Sequence, residues 1–158
     1  MDGAAEAAEA QHSLLRRLGD RAEITDLILE FARCIDDSDQ AGYAATFDEE
    51  CELVLPFAHV VGRAAIEAMP APQPGMRTHH QIANILFDIA GDVARTRAYL
   101  TATHVFDAAR PTDIAQAGGW YLHDLVRTPA GWRFRRVELA IVWESAPMLR
   151  DPVSDPAV

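Results

Sequence analysis

The chain has 158 residues, of which 49% are hydrophobic and 24% charged, and carries a formal net charge of −10. This is enough chain for one domain with a real core, in the ordinary balance for a globular protein. The acidic excess argues against a nucleic-acid partner, which rewards clustered Lys and Arg, and no apolar run approaches membrane-spanning length.

Residues 1–12 are rich in Ala and Glu and read as a frayed tail without the basic and apolar regions of a signal peptide. A single domain is expected over residues 13–145, followed by a Pro-containing flexible tail over 146–158. From Ser13 to Ile35 the apolar residues Ile24, Leu27, Ile28, Phe31 and Ile35 recur at three- and four-residue steps, which predicts a helix. Asp39 is placed to cap a second short helix that buries Tyr43 and Phe47. The stretch "CELVLPF" alternates as a strand, with Cys51, Leu53 and Leu55 on one side. "GRAAIEAM" predicts a third helix, stopped by "PAPQPG".

The second half changes character. "RTHHQIANILFDIA" reads as a long strand, "GD" at 91–92 as a hairpin turn, and "VARTRAYLTATHVF" as a second long strand with Arg95 and Arg97 on one face. "ARPTDIAQAGG" reads as a loop, "WYLHDLVR" as a third strand, "TPAG" as a turn and "WRFRRVELAIVW" as a fourth strand. Helices followed by a run of antiparallel strands indicate an α+β domain, with helices packed on one face of a curved sheet and a pocket between them.

Strand alternation separates the adjacent histidines. His80, Ile82, Asn84 and Leu86 share one face; His79, Gln81, Ala83 and Ile85 share the other. On the first helix, Asp36 falls at the border of the apolar stripe and Asp37 on the solvent side. Taken alone, Asp36 reads as a polar helix end and His80 as a structural strand histidine. Together in one pocket they would form an oriented base, with the carboxylate fixing the imidazole tautomer and stabilising the imidazolium.

His104 either faces the pocket as a second acid or base or sits at the sheet rim. His123 and Asp124 lie on opposite faces of one strand, so at most one points inward. Tyr43 and Tyr121 read first as core aromatics with satisfied hydroxyls, and otherwise as proton donors. Arg136 shares a strand face with Phe134 by alternation and reads as a solvated arginine or a group approaching the pocket. The two cysteines, Cys34 and Cys51, fit neither a metal-ligand spacing nor a disulfide framework, and read as buried free thiols in a reducing cytoplasm. There is no H-E-x-x-H, no Gly-rich phosphate loop and no G-x-S-x-G, so neither a metal nor another cofactor is expected.

The segment "RAEITDLILEFARCIDDSDQAGYAATFDEECELVLP" resembles the opening of SnoaL-like proteins of the nuclear transport factor 2-like superfamily. "GRAAI", "RTHHQIAN", "GDVARTRAYLTATH" and "LVRTPAGWRFRRVEL" follow in the same order, so the resemblance covers about residues 20–145. It implies a cone-shaped curved antiparallel sheet wrapped around N-terminal helices, the cystatin-like arrangement, and a homodimer or homotrimer through the open sheet face. In the scytalone dehydratase-like branch an Asp–His dyad carries out eliminations without a cofactor, and its members fall on Asp36 and His80. The resemblance therefore implies a lyase of the dehydratase type acting on a small hydrophobic alicyclic, polyketide- or steroid-like molecule. An isomerase or cyclase using the same proton abstraction, or a non-catalytic ligand-binding or accessory subunit, are the alternatives. Tyr43, Phe47, Asn84, His104, Tyr121 and Arg136 are then the candidate substrate-binding residues. Two positions depart from the pattern: Ile35 stands where scytalone dehydratase has Tyr before the Asp, and Phe31 stands where a ketosteroid isomerase-type Tyr would be sought.

Overall fold

The protein is described here by a computed structural model that defines residues 2–70, 72 and 74–147. The elements are α1 (Asp2–Asp36), α2 (Gln40–Ala45), β1 (Phe47–Leu55), β2 (Ala58–Val61), α3 (Arg63–Glu67), β3 (Arg77–Ala90), β4 (Val93–Val105), β5 (Ile114–Thr128) and β6 (Gly131–Glu144). The six strands form one sheet in the order β2-β1-β6-β5-β4-β3. Its pairings are antiparallel except that β1 runs parallel to β6, so the sheet is mixed rather than wholly antiparallel. The fold is the α+β, curved-sheet arrangement expected.

Helix α1 begins well before Ser13. Residues 2–12, expected as a frayed tail, continue it, because Ala and Glu have high helix propensity and nucleation is already met by the packed part. That packed part inserts Ile24, Ile28 and Phe31 into the concave side of the sheet. The Phe31 ring meets Tyr43 at 5.0 Å, Tyr121 at 5.2 Å and Phe134 at 5.4 Å, so one aromatic residue joins α2, β5 and β6. Nearer its N-terminus, Asp20 Oδ1 accepts from Arg127 at 2.7 Å and from Trp132 Nε1 at 3.4 Å, and Arg127 also donates to Asp92 at 2.9 Å. This ties α1 to the turns at one end of β3–β4 and β5–β6.

At the other end α1 stops in a Schellman motif. The Ser38 N–H donates to the Ile35 carbonyl at 3.2 Å and the Asp39 N–H to the Cys34 carbonyl at 2.8 Å, with Ser38 at φ 57°. This geometry fixes Asp36 in the last helical turn. Asp39 then caps α2 by accepting from the Gly42 N–H at 2.9 Å, as its position predicts.

Three strand features depart from the sequence reading. The four-residue β2 was not anticipated. β5 starts at Ile114, so the Gly-containing stretch read as a loop is paired strand. Glycine is needed there for close approach: a Cβ on Gly118 would lie 2.2 Å from Trp143 Nε1, and one on Gly119 would lie 2.0 Å from the Ala140 carbonyl oxygen. Finally, β3 shifts register between Ala83 and Leu86, with Asn84 at φ 48°. Beyond this bulge the inward set becomes Ile85, Phe87 and Ile89, while Leu86 turns out to solvent at 54% exposure. The C-terminal tail lies outside the described residues from 148 onward.

Candidate active site

His80 and Asp36 meet across 44 positions of sequence. His80 Nδ1 lies 2.7 Å from Asp36 Oδ1, the His80 backbone N–H donates to Asp36 Oδ2 at 2.9 Å, and the Thr78 hydroxyl donates to Oδ1 at 2.9 Å. The His80 side chain is only 6% exposed and that of Asp36 22%. Burial pushes the Asp36 carboxyl pKa up, but the His80 side-chain and backbone hydrogen bonds, the His80 charge and Thr78 outweigh it and hold the group below its ordinary 3.8. An ionised carboxylate only accepts hydrogen bonds, so Nδ1 carries the proton and Nε2 is the nitrogen left to act as a base. An acid in a last helical turn opposes the helix dipole. Here three donors from β3 compensate.

The local sequence explains the meeting. Thr78 and His80 are two apart and share the inward face of β3, so both reach the end of α1. His79, between them, is exposed on the opposite side. Thr78 was missed as a site residue, although its place two residues before His80 was a legible signal.

His104 stands opposite Thr78 in the β3–β4 register, and its ring lies 6.3 Å from that of His80 and 6.5 Å from Phe106. The structure thus brings His104 to the dyad. Tyr121 is on the inner face, 4% exposed. Burial first, and then the nearby Asp36 charge, push its phenol pKa up, so it stays a neutral hydroxyl. Tyr43 and Phe47 belong to the core: their rings are 5.4 Å apart, and Phe47 is fully buried. The wall beside His80 is built of alanine methyls. His80 pairs with Ala102, which pairs with Ala117, and Ala98 pairs with Tyr121 further along.

Two candidates are displaced. Asn84 is the exposed bulge residue of β3, because its positive φ interrupts the alternation that was to place it beside His80. Arg136 lies on the outer sheet face, donating at 2.8 Å to both Glu52 and Glu138. The register slip between Asp124 and Leu125 moves it off the Phe134 face. Between His123 and Asp124, His123 is the inward one: it is 2% exposed, its Nδ1 lies 2.8 Å from the Thr96 hydroxyl, and it stacks on Phe134 at 4.9 Å. Burial pushes its pKa down to about 3.

Two grooves of about 460 and 250 Å³ lie on the outer sheet face, lined around Arg97 and around Trp120 and Trp143; neither includes Asp36 or His80. Among the described residues no three His, Cys, Asp or Glu side chains converge as a metal-ligand set, and no helix is long and apolar enough to cross a membrane.

A curved sheet packed over one long helix is the architecture of a known domain family. The SnoaL-like domain family model matches residues 16–138. The chain therefore belongs to the SnoaL-like domain family, within the nuclear transport factor 2-like fold. It is 28% identical over 134 residues to the uncharacterized protein Rv2910c of Mycobacterium tuberculosis, covering 77% of this chain and 85% of that one. Among solved structures it is similar to an NTF2-like protein with a cystatin-like fold from Novosphingobium aromaticivorans, at 27% identity and TM-score 0.71, covering 90% of this chain and 92% of that one. A type 2 hexachlorocyclohexane dehydrochlorinase shares the fold at 15% identity and TM-score 0.72, covering 89% of this chain and 99% of that one.

Proposed function

We propose that the protein is a cofactor-independent lyase of the dehydratase type, with Asp36 and His80 as its general-base dyad. The observation that carries this reading is the 2.7 Å contact between His80 Nδ1 and an Asp36 carboxylate that burial alone would protonate more readily. His80 Nε2 takes a proton from a carbon next to an activating group. The C–H electron pair becomes the new C=C bond, the C–O bond to the leaving hydroxyl breaks, and His104 or a water protonates that hydroxyl, so that water is lost. Asp36 balances the imidazolium as it forms. Tyr121, kept neutral by burial and the nearby Asp36 charge, holds a substrate oxygen in this reading. The alanine wall and the buried aromatic surround favour a small hydrophobic alicyclic, polyketide- or steroid-like substrate. A relative of the same fold named for dehydrochlorination, also an elimination, is consistent with this chemistry.

Proton transfer by such a base supplies about 10²–10⁴-fold in rate, and positioning and donors to developing charge supply the rest. The test is a panel of cyclic β-hydroxyketones, followed by the absorbance of the enone product. Turnover that falls by about 10²-fold or more in His80→Ala and Asp36→Asn supports the dyad. Undiminished turnover in both variants would show that another group is the base. Tight binding of panel members with no product would instead favour a ligand-binding protein on the same cone.

A further inference from the structure

Helix α1 has a second face that is left uncovered among the described residues. Residues 3–19 are exposed throughout, and the packed body begins only at Asp20. The projecting part is about 25 Å long at 1.5 Å per residue. It is not polar all round: Leu14, Leu15 and Leu18 are 50%, 60% and 53% exposed, and Leu29 further along is 49% exposed. At 100° per residue, Leu29 falls within about 60° of all three, and about 100–140° away from the core residues Ile28 and Ile24. The leucines therefore form one continuous stripe along α1, turned away from its own sheet.

The spacing of that stripe is 3-4-3-4: Leu15, Leu18, Ala22, Thr25 and Leu29. This is the a/d repeat of a two-helix coiled coil. Its flanks carry opposite charges. Arg21 precedes Ala22 at the position labelled g, and Asp26 follows Thr25 at the position labelled e. In a parallel, in-register pair each g residue faces the e residue five positions on in the other helix, so Arg21 of one copy meets Asp26 of the other, twice. In an antiparallel pair g faces g, and this match is lost. The Arg21 guanidinium rests over the Phe87 ring at 4.4 Å, which anchors it at the edge of the stripe.

We propose that the leucine face of α1 docks on the same face of a second copy, as a parallel two-helix pair over about residues 11–29. This surface is separate from the open sheet face that the resemblance implies for assembly, so the pairing it makes is additional to any made there. The test compares the full-length protein with the double variant Leu15→Asp/Leu18→Asp by light scattering, with tryptophan fluorescence reporting that the body, including buried Trp132, is intact. The expected result is a smaller mass for the variant, by at least a factor of about two. A second variant, Leu18→Cys, places thiols facing each other across a parallel pair while native Cys34 and Cys51 stay buried. Mild oxidation is expected to give a covalent dimer on a non-reducing gel. Equal masses for wild type and double variant, or a Leu18→Cys protein that does not cross-link, overturns the proposal.

Discussion

Replacing Asp36 by Asn probes the junction of α1 and β3 with almost no change of shape. The carboxylate accepts two hydrogen bonds on Oδ1, from Thr78 and His80 Nδ1, and one on Oδ2, from the His80 N–H. An asparagine that keeps its oxygen at the Oδ1 position turns its NH₂ towards the His80 N–H, donor against donor. One buried N–H is then left unpaired, at about 1–3 kcal/mol, and two charge-assisted bonds become neutral ones, at about 0.5–1 kcal/mol each. Relief of the buried charge offsets part of this, so the expected net loss near pH 7 is about 2–3 kcal/mol. With a urea m-value of about 1–3 kcal/mol/M, the unfolding midpoint drops by about 1–2 M. The pH dependence has a defined sign. Asp36 titrates below 3.8 when folded, so the unfolded chain binds the proton first as pH falls. The stabilisation is therefore complete above 3.8 and is lost as pH drops through the lower folded value. Urea titrations of wild type and Asp36→Asn should converge only in that acid range. Coincident midpoints at pH 7 would refute the hydrogen-bonded carboxylate on which the site is built.

Three further outcomes are expected. Ser38→Gly relieves the left-handed backbone that ends α1 and raises stability by about 0.5–1 kcal/mol, read by thermal unfolding. Asp20→Ala leaves Arg127 and Trp132 Nε1 without their shared acceptor and costs about 2 kcal/mol in urea unfolding. His123 is held neutral down to about pH 3 when folded, while the unfolded imidazole protonates below 6.5. Stability is thus lost as pH falls through that window, and between pH 7 and 4.5 wild type loses about 2–3 kcal/mol more than His123→Phe.

The elements with strong periodicity were the legible ones. β3 follows from its alternation, and the short helix capped by Asp39 follows from cap chemistry. The pairing of Asp36 with His80 rested on the resemblance, because nothing local in either segment names its partner. Where the reading failed, a local exception had interrupted the period. Asn84 at positive φ inverts the second half of β3, and the visible trace was Ile82 followed by Ile85 at an odd step. Arg136 was misplaced by a slip of the same kind on β6. The start of β5 was hidden because Gly118 and Gly119 signal a turn in isolation, whereas here they admit Trp143 and the Ala140 carbonyl. The parallel contact of β1 with β6 joins segments too far apart for any pattern to register.

The central claim is that Asp36 holds His80 with Nδ1 protonated and Nε2 available as the base. Long-range ¹H–¹⁵N NMR of the imidazoles, in wild type and in Asp36→Asn, measures this without a substrate. The account predicts a His80 ring protonated on Nδ1, with a slowly exchanging, strongly downfield proton that is lost in Asp36→Asn while His79 is unchanged. A neutral His80 protonated on Nε2, or one whose signals ignore the substitution, would contradict it.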